Sequence, residues 1–310
     1  MDKTIKKGVS RGVQTYYCKV CKKRFSSSRR TKNKTIKQLW KDYVFGKQVF
    51  REFKYDKRTI KKLFSKYNAP AKIHHPGPVN IVVDATYFGE RKEETSWCLA
   101  VVRDQKRKEN LVWEFAKTES TSLYRYLRND LESKGYIIKS VTADGFSGIR
   151  GAFWGIPFQM CLVHMERLVI RGTTQNPQLE AGQVLLALTR TIFKTNENQW
   201  NKRFRQYLDK YQDFLNEKTT NPFTQEQYWT HKELRQAVMS LIRFRKYLFT
   251  FKQNQKIPPT SNTLEGHFSH IKDIVGVHRG LGRMQKQKVL NSILLASTIA
   301  PSKKKLDEIL

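Results

Sequence analysis

Apolar residues recur at helical spacing in two stretches near the start of the chain. Over 34–44 (KTIKQLWKDYV) Ile36, Leu39, Trp40 and Tyr43 share one face. Over 56–67 Ile60, Leu63, Phe64 and Tyr67 repeat the pattern behind Asp56, a suitable N-cap, with Gly46 and a short QVFREF segment between the two. Residues 68–78 are rich in Pro and Gly, which neither continue a helix nor pair well in a sheet, so they read as a linker. Three strand-like runs follow at 80–88 (NIVVDATYF), 96–104 (SWCLAVVRD) and 110–116 (NLVWEFA), the pattern of a meander. A helix over 120–134 carries Leu123, Tyr126, Leu127 and Leu131 on one face and stops at Gly135. A strand at 137–143, a short helix near 147–153 and a strand at 157–163 complete a mixed sheet flanked by helices. Strand signal then fades: 181–193, 198–216 and 231–251 have helical apolar spacing. Beyond the breaker PPTSN, Ser261 and Asn262 cap a helix over 260–275, and a glycine-punctuated turn leads to a last helix at 284–299.

Composition sharpens this picture. A chain of 310 residues, 39% hydrophobic and 12% aromatic, can bury a substantial core in two or three modules. Its net charge of +32 repels itself in a compact state unless a polyanion offsets it, and nucleic acid is the commonest such partner. Residues 1–75 hold 23 Lys/Arg against 4 Asp/Glu, so the first quarter is the expected grip. Within it Lys57, Arg58, Lys61 and Lys62 avoid the apolar stripe of the second helix and are expected to face DNA. The helix pair is helix-turn-helix-like; base reading in a groove and contact with phosphates alone both fit it.

Four cysteines do not describe a disulfide-stapled secreted protein. No apolar run approaches the roughly 18 residues of a membrane span, and MDKTIKKGVSRG lacks a signal-peptide core. A soluble, cytoplasmic protein is expected. Cys18 and Cys21 have the spacing of one zinc knuckle, but tetrahedral Zn²⁺ needs four ligands, so a half-site and a metal-free turn both fit.

The candidate chemistry lies at strand ends. Asp84 closes the run IVVD and Asp144 closes VTAD, where two carboxylates at one sheet edge can share a hard cation. Either alone is equally explained as a turn or cap residue.

Four segments in order change that balance: VVDATYFG around Asp84, TADGFSGIRGAF around Asp144, QMCLVHMERLV with Cys161-x-x-His164, and SNTLEGHFSHIK around Glu265. Together they span residues 80–275, and in them the chain resembles DDE transposases of the Mutator-like class and related bacterial insertion-sequence families. The resemblance implies an α/β (α+β) fold. It would comprise a ribonuclease-H-like mixed sheet with a helical insertion, preceded by a small zinc-ribbon-like and helix-turn-helix-like region. The expected modules are 1–30 (half zinc ribbon), 31–67, the linker 68–78, the core 79–164, the insertion 165–256, the resumed core 257–300 and a tail 301–310.

The resemblance further implies that Asp84, Asp144 and Glu265 hold Mg²⁺ or Mn²⁺, with Cys161 and His164 supporting them. It implies cleavage and transfer of DNA strands at the terminal inverted repeats of a mobile element and into target DNA. A homodimer or higher oligomer on DNA, associated with the nucleoid, is expected. Similar transposases carry two N-terminal Cys pairs, whereas this chain has only Cys18 and Cys21 there, leaving Zn²⁺ binding open. Two other readings remain: a non-catalytic DNA-binding protein derived from a transposase, and a nuclease of the same fold that cuts without joining. A regulator has no need of three ordered carboxylates in so basic a chain.

Overall fold

A computed structural model describes residues 3–10, 13–26, 34–89, 95–278 and 280–297. The stretch 27–33 of the expected zinc-ribbon and helical region, and the tail 301–310, lie outside the described residues. The chain divides into two compact units, Met1–Tyr67 and Asn68–Leu310.

The first unit begins with an antiparallel sheet of β1 (Thr4–Ser10), β2 (Val13–Cys18) and β3 (Arg24–Ser26). Cys18 ends β2 and Cys21 lies in the turn to β3. Two helices follow, α1 (Ile36–Val44) and α2 (Lys57–Lys66), joined through a single 3₁₀ turn at Phe50–Glu52. Thr35 and Gln38 form a capping box on α1, and the Asp56 carboxylate accepts from Arg58 N and Thr59 N at the start of α2. Leu39, Trp40, Tyr43 and Val44 pack with Ile60 and Phe64, and Trp40 meets Phe64 edge-to-face with ring centroids 5.0 Å apart.

The second unit is built on a five-stranded sheet in the order β6-β5-β4-β7-β8. Its members are β4 (Gly77–Phe88), β5 (Trp97–Asp104), β6 (Glu109–Ala116), β7 (Tyr136–Ala143) and β8 (Phe158–Met160), with α3 (Thr121–Ser133) before β7 and α4 (Ser147–Ala152) after it. The first three strands form an antiparallel meander, while β7 runs parallel to β4 and β8 parallel to β7. This mixed α/β arrangement is consistent with the ribonuclease-H-like expectation. Val79, Ile81 and Val83 join the main core with Leu123, Leu127 and Leu131 of α3.

The chain then becomes helical: α5 (Leu162–Thr173), α6 (Glu180–Arg190), α7 (Glu197–Leu215), α8 (Lys232–Phe244) and α9 (Thr250–Gln253). It returns through α10 (Asn262–Val277), which packs on β4, and α11 (Arg283–Ala296), which packs on β6. At Gly172 a Cβ would lie 2.4 Å from the Glu233 carbonyl oxygen, so only glycine lets α5 approach α8 this closely. Among the described residues no helix is long and apolar enough to cross a membrane.

Several elements differ from the sequence reading. Gly77 and Pro78, expected in the linker, pair with Tyr136 and Ile137, while pairing of β4 with β5 starts only at Ile81. Pro78 therefore faces an open strand side, where its missing N–H costs nothing. The strand expected over 157–163 is only three residues long, because Cys161 already caps α5. A small hairpin of β9 (Lys218–Thr220) and β10 (Gln227–Trp229) interrupts the helical block, too short and exposed to leave a periodic signal. Asn262 lies inside α10, and the Ser261 side chain makes no capping bond.

Buried polar side chains tie the returning chain to the sheet. Gln159, fully buried on β8, donates to Leu248 O (3.2 Å) and accepts from Phe251 N (2.9 Å), covering what is otherwise an edge strand. Thr142 Oγ1 donates to Pro258 O at 2.6 Å, and Leu162 N donates to Pro259 O at 3.1 Å. Thr142→Val keeps the shape of the side chain and strands the Pro258 carbonyl in the interior. It should lower unfolding stability by about 1–3 kcal/mol in urea titrations. A loss within error of zero would show that this bond does not hold the segment.

Candidate active site

The carboxylates sit where β4 outlasts its parallel neighbour. Pairing of β4 with β7 ends at Val82 with Thr142, and the same register carried two residues further sets Asp144 abreast of Asp84. Only β7 turns away here, since β4 runs on to Phe88 in pairing with β5, and Asp84 thus lies beside the exit of its parallel neighbour. Asp84 Oδ1 accepts from Ala85 N at 2.8 Å, and Asp144 Oδ1 accepts from Phe146 N at 2.9 Å.

Glu265 reaches this edge from the first turn of α10. Its Oε2 forms an ion pair with Arg167 Nη1 at 2.7 Å, and its Oε1 lies 3.5 Å from His164 Nε2. Apart from that ion-pair contact, Oε1 is a buried acceptor with no hydrogen bond. His164 and Arg167 stand three residues apart on α5, hence on one face turned to α10. Ligand atoms of Asp84, His164 and Glu265 all lie within 4.8 Å of one another.

Asp144 is not part of that cluster. It acts on Asp84 through its charge.

Behind His164, Cys161 Sγ accepts from both the N–H and the hydroxyl of Ser261, each at 3.2 Å, and Ser261 Oγ lies 3.4 Å from His164 Nδ1. Ser261 holds the N-cap position of α10, and its side chain joins the two halves of the site. Glu119 is a further acidic neighbour absent from the sequence reading: it accepts from Tyr124 OH and, at 3.3 Å, from Tyr87 OH.

These groups titrate as a cluster of buried negative charge. Burial first of all, then repulsion from Asp144 and Glu265, raises the Asp84 carboxyl to about 7, against the opposing pull of His164 and the Ala85 N–H. Burial works against a charged His164, yet the Cys161 sulfur, Asp84 and Glu265 outweigh it and raise the ring to about 9. Burial would raise the Cys161 thiol, but hydrogen bonds from His164 and Ser261 hold it below its ordinary value. Burial likewise raises Glu119, with Asp144 adding to it.

The donor set fits a divalent cation. Oxygen atoms of two carboxylates converge, one of them buried and unbonded, and the field around them favours positive charge. In contrast, no third His, Cys, Asp or Glu joins Cys18 and Cys21 among the described residues. In the first unit Lys57, Arg58 and Lys62 are exposed, and Lys57 and Lys61 each place Nζ 5.9 Å from the Phe50 ring centroid.

A folded-state carboxyl raised to about 7 is favoured protonated. Its contribution to stability is full below the unfolded value, about 3.9, and is lost as pH rises through the folded one. Asp84→Asn, which cannot ionise, should match the wild type near pH 4 in chelator-treated buffer. By pH 8 it should be more stable by on the order of 1–3 kcal/mol. A stability difference that stays constant between those pH values would contradict a strained Asp84.

No curated protein matches the chain. Among solved structures it is similar to the Drosophila P element transposase strand transfer complex, at 12% identity and a TM-score of 0.42, over 86% of this chain and 92% of that one. The model of the Transposase IS66 family matches residues 80–272. That stretch is well over half the chain and takes in Asp84, Asp144, His164 and Glu265, and the protein belongs to the IS66 family of DDE transposases.

Proposed function

We propose that the protein is a catalytically active DNA transposase, cutting DNA at the ends of a mobile element and joining those ends to target DNA. Asp84, Asp144 and Glu265 are its metal-holding carboxylates, and Mg²⁺ or Mn²⁺ its cofactor. The observation that carries this reading is the Glu265 Oε1 atom, buried without a hydrogen bond and brought beside Asp84 from the far side of the helical block. A carboxylate serving only as a helix cap or surface charge would keep both oxygens in water or on N–H groups.

When bound, divalent ions polarise the scissile phosphate and activate the attacking water or 3′-hydroxyl. The chain's own residues then have distinct tasks. Asp84, inside the central strand β4 and past the end of its pairing with β7, sets the site's position. Arg167 holds Glu265 Oε2 and so turns Oε1 inward. Asp144 adds negative charge from the neighbouring strand. Cys161 and Ser261 orient His164.

The modules read from sequence complete the proposal. Residues 1–67, with a zinc-ribbon-like sheet and a helix-turn-helix-like pair, supply most DNA affinity through Lys57, Arg58, Lys61 and Lys62. Residues 165–256 are an insertion in a ribonuclease-H-like core. The protein acts inside the cell as a homodimer or larger assembly on its element ends, and the Cys161-x-x-His164 motif favours grouping it with Mutator-like transposases.

Two measurements test this. Glu265→Gln keeps size and removes charge, so Mg²⁺-dependent cleavage of the element's terminal DNA should fall by about two orders of magnitude or more, while DNA binding persists. Near-normal cleavage by that variant would remove Glu265 from the site, and no cleavage by the wild type under any divalent ion would favour a non-catalytic DNA-binding protein. Separately, neutralising Lys57, Arg58, Lys61 and Lys62 to Gln should reduce the slope of log affinity against log salt by about 2–4. An unchanged slope places the phosphate contacts elsewhere.

A further inference from the structure

We propose that His164 is itself a metal ligand: its Nε2 joins one oxygen of Asp84 and one of Glu265 around a single divalent cation, and this nitrogen biases the site toward Mn²⁺ over Mg²⁺. The inference rests on the metal-holding reading of the carboxylates given above and adds a donor to it.

Three features of the geometry lead to it. First, the convergent trio among the described residues is Asp84, His164 and Glu265, all within 4.8 Å, and not the three carboxylates. Second, the ring is oriented as a ligating imidazole is. Nδ1 faces Ser261 Oγ at 3.4 Å, beside the Cys161 sulfur, and Nε2 is left facing Glu265 Oε1. Metal-bound histidines as a rule present their second ring nitrogen to such an orienting partner, which fixes tautomer and ring plane. Third, the 3.5 Å between Nε2 and Oε1 is too long for a good hydrogen bond, so the pair is aligned without being closed. Arg167 already occupies Oε2, which leaves Oε1 and Nε2 as neighbouring donors with nothing between them.

The bland account is that His164 serves as an imidazolium in place of a metal, balancing the two carboxylates by charge alone. Chemistry separates the two accounts. Mg²⁺ takes oxygen ligands and keeps its waters, whereas a transition ion such as Mn²⁺ accepts an imidazole nitrogen more readily. A ligating His164 therefore leaves a mark on metal choice and on the spectrum of the bound ion, and a charge-balancing one leaves neither.

The test uses the full chain loaded with Mn²⁺. Pulsed electron paramagnetic resonance should show ¹⁴N modulation from a directly bound imidazole in the wild type and lose it in His164→Gln. In that variant the ratio of Mn²⁺ to Mg²⁺ affinity should drop by about tenfold or more. Mn²⁺ that binds the wild type without ¹⁴N modulation, but no longer binds Asp84→Asn, overturns the His164 assignment and leaves the carboxylate site standing. Modulation that survives in His164→Gln overturns it as well. Mn²⁺ binding untouched by Asp84→Asn overturns both the assignment and the carboxylate reading on which it rests. Should His164→Gln fail to fold, the wild-type spectrum decides alone.

Discussion

The whole site depends on one short strap, residues 258–261, and on the buried hydrogen bonds that pin it to the sheet. Thr142 binds Pro258, Leu162 binds Pro259, and Cys161 binds Ser261. The two prolines cannot donate, so each contributes only a carbonyl to its bond. The strap lies immediately before α10, so whatever fixes it fixes the first turn of that helix, and with it Glu265. A helical block many times longer than the strap intervenes, yet its length need not disturb the site, because both of its ends are anchored on β7, β8 and the start of α5. Gln159 and Thr250 repeat the device at the outer edge of the sheet, where they close β8 against the returning chain.

A second constraint is electrostatic. The chain carries a net charge of +32, and yet its sheet edge gathers Asp84, Glu119, Asp144 and Glu265 with little solvent. Holding carboxylates together in a buried place is unfavourable unless a cation accompanies them. His164 and Arg167 meet part of that demand, which is visible in the raised titration of the histidine. The excess of acid over base at the edge is what a divalent ion would neutralise.

Much of this architecture was legible in the sequence, for reasons that differ by element. The strands of the sheet are apolar runs, and Asp84 and Asp144 stand out because each carboxylate interrupts or closes such a run; Asp84 nevertheless lies inside β4, which runs on to Phe88, while Asp144 follows the end of β7. The amphipathic faces of α1, α2 and α3 are equally plain. Glu265 was not legible from local pattern: its position reads as an ordinary first-turn acid, and only the resemblance set it beside Asp84. Ser261 holds the N-cap position expected of it, but its hydroxyl makes no capping bond and finds a partner in Cys161, one hundred residues earlier. The placing of His164 beside the carboxylates likewise came from the resemblance, as a supporting residue, and what local pattern did not reveal is that its Nε2 lies 3.5 Å from Glu265 Oε1. The β9–β10 hairpin left no trace because strands of three residues, two of them exposed in each, carry no periodicity.

Whether distant parts of the chain build one metal position can be read from anomalous diffraction by crystals soaked in Mn²⁺. The expected result is an anomalous peak in bonding contact with oxygens of both Asp84 and Glu265. A peak held by Asp84 and Asp144 with Glu265 turned away, or no peak at this edge of the sheet, would contradict it.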